Sequence, residues 1–347
     1  MRAALIDRFD GPIPVTDVPD PSCPVDGVVV AVHACGVCRS DHHAWKGVDP
    51  DVELPHVMGH ELAGEVVEVG AECRGFAVGD RVTAPFILGC GSCADCAAGQ
   101  PTVCARQQVI GFTMWGAFAE YLAVPHADAN LVALPDGLAV VDAAALGCRV
   151  TTAWRALVDR AAIQPGEWMV VHGAGGVGLS AVMLANALGA RAIAVDISTA
   201  ALDAAQAAGA EIVVDAGSGD PAEAVRDATG GGAHVAIDAL GITTTFDNSL
   251  RSLRKLGRHV QVGMPVGEHE VVPLPLLELV YARQLSLHGM RGLGAAGFTD
   301  LLSLVADGRF DPGRLVAGTV GLDGVEASLR AMDGNQPAGI TVAEPGR

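Results

Sequence analysis

The stretch MVVHGAGGVGLSAVMLANALGA, residues 169–190, constrains the fold more than any other part of the chain. A strand-like apolar run meets the glycines Gly173, Gly175 and Gly178 in a GxGxxG pattern, and a helix-like run follows at once. The first glycine allows a tight turn, the second an open backbone that lets a pyrophosphate approach, and the third close packing of helix on strand. The segments around it keep the same rhythm. EWMVVHGAGG, RAIAVDI, EIVVDA, HVAIDAL and RHVQVGM are of strand length, and Ala-rich TAALDAAQAAGA, PAEAVRDATG and FDNSLRSLRKLG are of helix length. Strands alternating with helices predict parallel strands joined by crossover helices, a doubly wound sheet.

The strand RAIAVDI ends near Asp196, 18 residues past Gly178. A carboxylate there accepts hydrogen bonds from ribose hydroxyls and repels a 2′-phosphate, so the expected cofactor is NAD rather than NADP. The plainer reading is a glycine-rich turn with a solvated Asp at a strand end. Before about Cys148 the texture is different: DGVVVAVHACGV, GEVVEVG, VGDRVTAPFIL and FAEYLAVP are short Val-rich runs between Gly, Pro and Asp. That pattern predicts a β-rich domain. Beyond about Pro265 the pattern is mixed, and this tail is expected to return to the first domain. The expected division is therefore 1–147, completed by 281–347, and 148–280.

At 347 residues the chain is long enough for two domains. Half of it is hydrophobic, and its formal charge of −18 disfavours nucleic acid or an anionic membrane as a partner. No segment holds about 18 uncharged apolar residues in a row, and the N-terminal apolar run is interrupted by Asp7, Arg8 and Asp10, so no span or secretory leader is expected. A cytoplasmic protein is expected. In that compartment thiols are more often metal-binding or catalytic than disulfide-bonded.

Four of the nine cysteines lie in GCGSCADCAAGQPTVC: Cys90, Cys93, Cys96 and Cys104. Three sulfurs from one tight loop and a fourth from its return can close a tetrahedral metal site, leaving no open position for chemistry. Disulfides and an iron–sulfur cluster are the alternatives, and the thiols alone do not separate zinc from a cluster. A second group is more dispersed: Cys38 in GVCRSDHHAW, His60 and Glu61 in LPHVMGHELAG, and Cys148 in GCRVTTAW. Two thiolates and one imidazole from separated segments match an open catalytic zinc site.

GHELAGEVVEVG, the cysteine loop, GVCRSD, GCRVTTAW and VVHGAGGVGLSAV together resemble the zinc-containing medium-chain alcohol dehydrogenases over essentially the whole chain. The resemblance implies a GroES-like catalytic domain, a Rossmann domain inserted before its C-terminal segment, and an active site between them. It implies that Cys38, His60 and Cys148 hold a catalytic zinc and that Cys90, Cys93, Cys96 and Cys104 hold a structural one. Polyol-oxidising relatives often replace the third catalytic ligand by a carboxylate, so Cys148 favours the alcohol dehydrogenase branch.

Other roles are implied position by position. Glu61 corresponds to a glutamate near the metal that can transiently coordinate it, and Asp41 to a carboxylate that orients His60. Ser40 corresponds to the hydroxyl on the substrate oxygen and His43 to the outer histidine of a proton relay; His42 is expected on the surface. Arg39 corresponds to a pyrophosphate contact and Thr152 to a residue near the nicotinamide. Gly176 and Val177 in the turn, with Val262 and Met264 in RHVQVGM, complete the expected cofactor contacts. Two departures are visible: DISTAALD lacks the Lys or Arg common beside the adenosine, and PAGITVAEPGR lacks a Gly-Arg before the last strand. Both imply NAD held with fewer charge contacts.

The implied chemistry is Lewis-acid activation of an alcohol by zinc, proton exit through Ser40 and the cofactor ribose to His43, and hydride transfer to the nicotinamide. Trp45, Phe86 and Trp115 are the expected walls of an apolar pocket for a primary or simple secondary alcohol. A polyol, formaldehyde or amino-alcohol dehydrogenase is the alternative on the same scaffold. A redox-sensing cysteine protein that releases zinc from its four-thiol loop is the alternative of a different class. A homodimer or homotetramer is expected from the resemblance. Elemental analysis of the purified protein should find about two zinc and no iron per chain; iron would revive the cluster, and a single zinc would remove one of the two sites.

Overall fold

In a computed structural model, residues 1–334 and 339–347 are described; the first two residues of PAGITVAEPGR fall outside them. The chain divides into two compact units. One is formed by Met1–Thr151 with the segments that begin at Gly292 and Ile340, and the other by Thr152–Arg291.

The first unit is built on the strand Val28–Val37, paired antiparallel with Glu61–Val69 on one side and with Ile340–Ala343 on the other. Its alternate faces cannot both meet water, because nearly every residue is apolar, and eight of the ten are buried. The sheet continues through Arg81–Thr83 to Val132–Ala133, and through Ile340–Ala343 to Val316–Val320. A core of Ile6, Met58, Leu62, Ile110, Phe118 and their neighbours fills the interior. In the pairing register Gly36 stands opposite Glu61, which brings the end of one motif-bearing strand against the start of the other.

The second unit is the parallel sheet expected from the sequence. Six strands lie in the order Ile212–Asp215, Arg191–Asp196, Trp168–His172, Ala233–Asp238, Leu253–Gln261, Ser286–Gly289, all parallel. The GroES-like and Rossmann classes expected for the two parts are thus matched by mixed and doubly wound sheets. Two segments differ from expectation. LRKLG belongs to the strand Leu253–Gln261, not to the preceding helix, which stops at Ser252. The strand Ser286–Gly289 keeps residues 281–291 in this unit, not with the first. It is an edge strand with no buried residue, so it carries no apolar alternation that could have marked it.

The glycine turn follows its strand directly. Gly173 has φ +100°, a Cβ on Gly178 would lie 2.0 Å from the Gly173 carbonyl oxygen, and a Cβ on Gly175 would meet nothing within 4 Å. Gly178 therefore serves helix–strand packing, whereas Gly175 faces open space, as a backbone meant for close approach by a ligand requires. Among the described residues no helix is long and apolar enough to cross a membrane.

Candidate functional site

The strand Val28–Val37 ends one residue before Cys38, which caps the short helix Arg39–Trp45. The cap is closed by Asp41: its Oδ2 accepts from the Cys38 backbone N–H at 2.8 Å, a charge-assisted bond at a helix start. The other oxygen, Oδ1, accepts from the His60 Nδ1–H at 2.8 Å and from the Gly59 N–H at 3.1 Å. Asp41 and His60 are fully buried. With Nδ1 donating to the carboxylate, the neutral ring carries its lone pair on Nε2, and that atom is buried without a hydrogen-bond partner.

Beside His60 the fold gathers Cys38, Glu61 and Cys148, and one ligand atom from each of the four residues lies within 4.8 Å of the others. Cys148 arrives on a buried helical turn, Leu146–Val150. The hydrogen bond from Cys148 draws the Cys38 thiol well below its ordinary range, and the same bond with burial pushes Cys148 well above it. Burial opposes charge on His60, yet Asp41 and Cys38 lift it well above the ordinary imidazole value. A soft donor set of two sulfurs and one imidazole whose Nε2 has no hydrogen-bond partner fits a zinc ion.

The four-cysteine group is equally compact, with ligand atoms within 4.8 Å of one another and Cys93 Sγ 3.6 Å from Cys104 Sγ. Cys93 caps the short helix Ala94–Ala97, and Gly89 gives room for the loop because a Cβ there would lie 3.0 Å from Cys96 Sγ. The Ser92 backbone N–H draws Cys90 down to about 5, and burial pushes Cys96 up to about 12. Arg106 donates to Cys90 Sγ at 3.1 Å, a cation beside thiols that become anionic when they bind metal.

The remaining expected residues fall in several places. Ser40 is half-buried with its Oγ 3.9 Å from Cys38 Sγ. His43 is half-buried, and burial pulls it below the ordinary imidazole value. Arg39 donates to the Met332 carbonyl at 2.7 Å. In the other unit, Asp196 accepts from Ala174 N–H at 2.7 Å and Ser198 N–H at 2.9 Å, so it anchors the glycine turn itself. Thr152 is buried with an unpartnered Oγ1, Gly176 and Val177 open the helix Gly176–Ala187, and Val262 and the exposed Met264 follow the strand Leu253–Gln261.

The aromatic expectations divide. Phe86 stands edge-on to His60 with ring centres 5.7 Å apart. Trp45 is instead a core residue: it is fully buried, donates from its indole to the Gly11 carbonyl, and packs between Lys46, Arg330 and His42. Trp115 is exposed on the rim of surface hollows of about 280 and 580 Å³, and its described contacts do not include His60. His42, expected at the surface, is buried and bonded to Asp333 at 2.8 Å. Sequence reasoning missed Phe112, whose ring lies 5.3 Å from that of His60, and Arg149, buried against Glu61. A basic residue inside the otherwise uncharged LGCRVTTAW was the available signal for Arg149.

Comparison with known proteins gives two family matches: the alcohol dehydrogenase GroES-like domain over residues 25–136 and the zinc-binding dehydrogenase over residues 176–307. An NAD-dependent alcohol dehydrogenase of Sulfurisphaera tokodaii is 33% identical, covering 99% of this chain and 100% of its own. The solved alcohol dehydrogenase of Thermus sp. ATN1 superposes with a TM-score of 0.91 at 31% identity, covering 99% of each chain. A zinc-binding dehydrogenase of Sinorhizobium meliloti 1021, solved with NADP, gives a TM-score of 0.88 at 27% identity, covering 99% of each chain.

Asp41→Asn should weaken metal binding by about 10- to 100-fold, because an amide no longer fixes the tautomer and angle of His60. Competition with a chelator measures it, and unchanged affinity would show that the ring is held by packing alone.

Proposed function

Because the chain belongs to the zinc-containing medium-chain dehydrogenase family, we propose that it is a zinc- and NAD-dependent alcohol dehydrogenase. It interconverts a primary or simple secondary alcohol, aliphatic or aromatic, and its aldehyde or ketone. The observation that carries this reading is the convergence of Cys38, Cys148 and the unpartnered Nε2 of His60. Cys38, His60 and Cys148 would hold the catalytic zinc, and Cys90, Cys93, Cys96 and Cys104 a structural one. When bound, zinc supplies Lewis acidity and NAD the hydride acceptor.

The chain's own residues supply position and proton movement. Asp41 keeps His60 in the tautomer that offers Nε2. Ser40, next to Cys38, receives the substrate hydroxyl proton, and His43 is the outer base, its neutral form favoured by burial. Phe86 and Phe112 against His60 support an apolar substrate over a sugar phosphate or amino acid. Gly173, Gly175 and Gly178 with the helix Gly176–Ala187 form the pyrophosphate cradle, and Asp196 supports NAD over NADP. The assembly is a homodimer or homotetramer, as the resemblance implies, and free thiols set for metal suit the reducing cytoplasm.

Cys38→Ser should abolish alcohol-dependent reduction of NAD while leaving NAD binding intact, with NADP a far poorer partner for the unaltered protein. Turnover surviving in a variant shown to lack the catalytic metal would refute the ligand assignment, and equal use of NADP would refute the role of Asp196. A pH profile tests His43. Its lowered value means that the neutral, proton-accepting form persists as pH falls below the ordinary imidazole range. His43→Ala should therefore slow oxidation most at the acidic end, roughly tenfold or more, with the deficit shrinking as pH rises and solvent bases compete. A uniform deficit across the profile would exclude His43 from the relay.

A further inference from the structure

Glu61 lies among the candidate ligand atoms, yet its carboxylate is already fully engaged. The Arg149 backbone N–H donates to Oε1 at 3.1 Å, Nε donates to Oε1 at 3.0 Å and to Oε2 at 3.1 Å, and Nη2 donates to Oε2. Nη2 is held in turn by the Val37 carbonyl at 2.9 Å, which fixes the guanidinium between the strand Val28–Val37 and the turn that carries Cys148. Glu61 is fully buried and Arg149 is 3% exposed. Room for the pair is made by glycine. A Cβ on Gly36 would lie 2.1 Å from Glu61 Oε2, and one on Gly147 would lie 2.9 Å from the Glu61 Cα.

Two facts make this arrangement more than a stabilising contact. A buried ion pair seldom adds net stability, so its presence beside a metal-binding set needs another reason. A carboxylate that close to a bound divalent cation is itself a good ligand, and a fourth protein ligand would close the position that substrate must occupy. Arg149 also brings a permanent positive charge to a group holding Glu61 and two thiols that must ionise to bind metal.

We propose that Arg149 is a positioning residue that clamps Glu61 off the catalytic metal and so keeps the substrate position open. The inference rests on the reading of Cys38, His60 and Cys148 as metal ligands. Arg149 acts through Glu61 and touches neither substrate nor cofactor. The two-point grip of a guanidinium is what holds both carboxylate oxygens, and a lysine ammonium at this position would supply charge without that geometry.

Cobalt(II) loaded in place of zinc tests the proposal, because the energies of its visible d–d bands in a four-coordinate site change with the identity of the fourth ligand. The contribution of the four-cysteine loop is subtracted with the Cys38→Ser protein. In Arg149→Met the d–d bands should shift in energy as the Glu61 carboxylate takes the fourth position, and Arg149→Met combined with Glu61→Gln should restore them. A folded Arg149→Met protein that is less thermostable but spectrally unchanged overturns the clamp and leaves a structural ion pair. Should Arg149→Met fail to fold, Glu61→Gln alone decides: unchanged band energies support a Glu61 held off the metal, and shifted bands show that Glu61 is a ligand despite Arg149. Absence of any Cys38-dependent cobalt–thiolate band would instead overturn the ligand reading, and the proposal with it.

Discussion

The Asp41 carboxylate is bonded wholly inside the protein, and the geometry of the candidate centre depends on how. A buried carboxylate is costly unless its lone pairs are satisfied, and here three N–H groups satisfy them: those of Cys38, Gly59 and the His60 ring. One bond closes the start of the helix that follows Cys38, and the other two fix the backbone and ring of the HE pair. The distance between the two motifs is therefore set by a single side chain. The tautomer of His60 follows from it, because Nδ1 is held on Asp41 and Nε2 is left without a partner.

The second constraint is charge. Burial raises the Glu61 carboxyl above its usual range, and Arg149 beside it pulls in the opposite direction. The sheet admits this pair only because Gly36, opposite Glu61 in register, has no side chain to place there. A larger residue at Gly36 or Gly147 would displace the carboxylate toward the candidate ligands or out of its strand. Sheet register, helix turn and electrostatics thus converge on a small volume beside Cys38 and Cys148.

The two cysteine groups show how differently such centres can be encoded. Cys90, Cys93, Cys96 and Cys104 lie in one short loop, so local turns and the Cys93-capped helix bring the sulfurs together. Cys38, His60 and Cys148 depend on two paired strands and a helical turn from elsewhere in the first unit. The first kind is a staple for its own loop. The second is only as well defined as the tertiary contacts that assemble it.

Local signals determined much of this protein. Strand and helix lengths, the GxGxxG turn and the ligand motifs follow from periodicity and residue type, which act over a few positions and so are legible in a linear string. What the string did not settle involves partners distant along the chain. Trp45 and His42 sit on a seven-residue helix, too short to reveal which face is covered, and segments near Asp333 and Arg330 bury them. The edge strand Ser286–Gly289 owes its place to backbone pairing with Leu253–Gln261, which leaves no apolar signature. Arg149 reads as one charge in an apolar stretch until Glu61, 88 residues away, is brought against it. The sequence by itself determined which chemical groups are present, and only the tertiary structure decided which of them are free to act. An atom's availability depends on the donors packed around it, and here those donors come from other strands and turns.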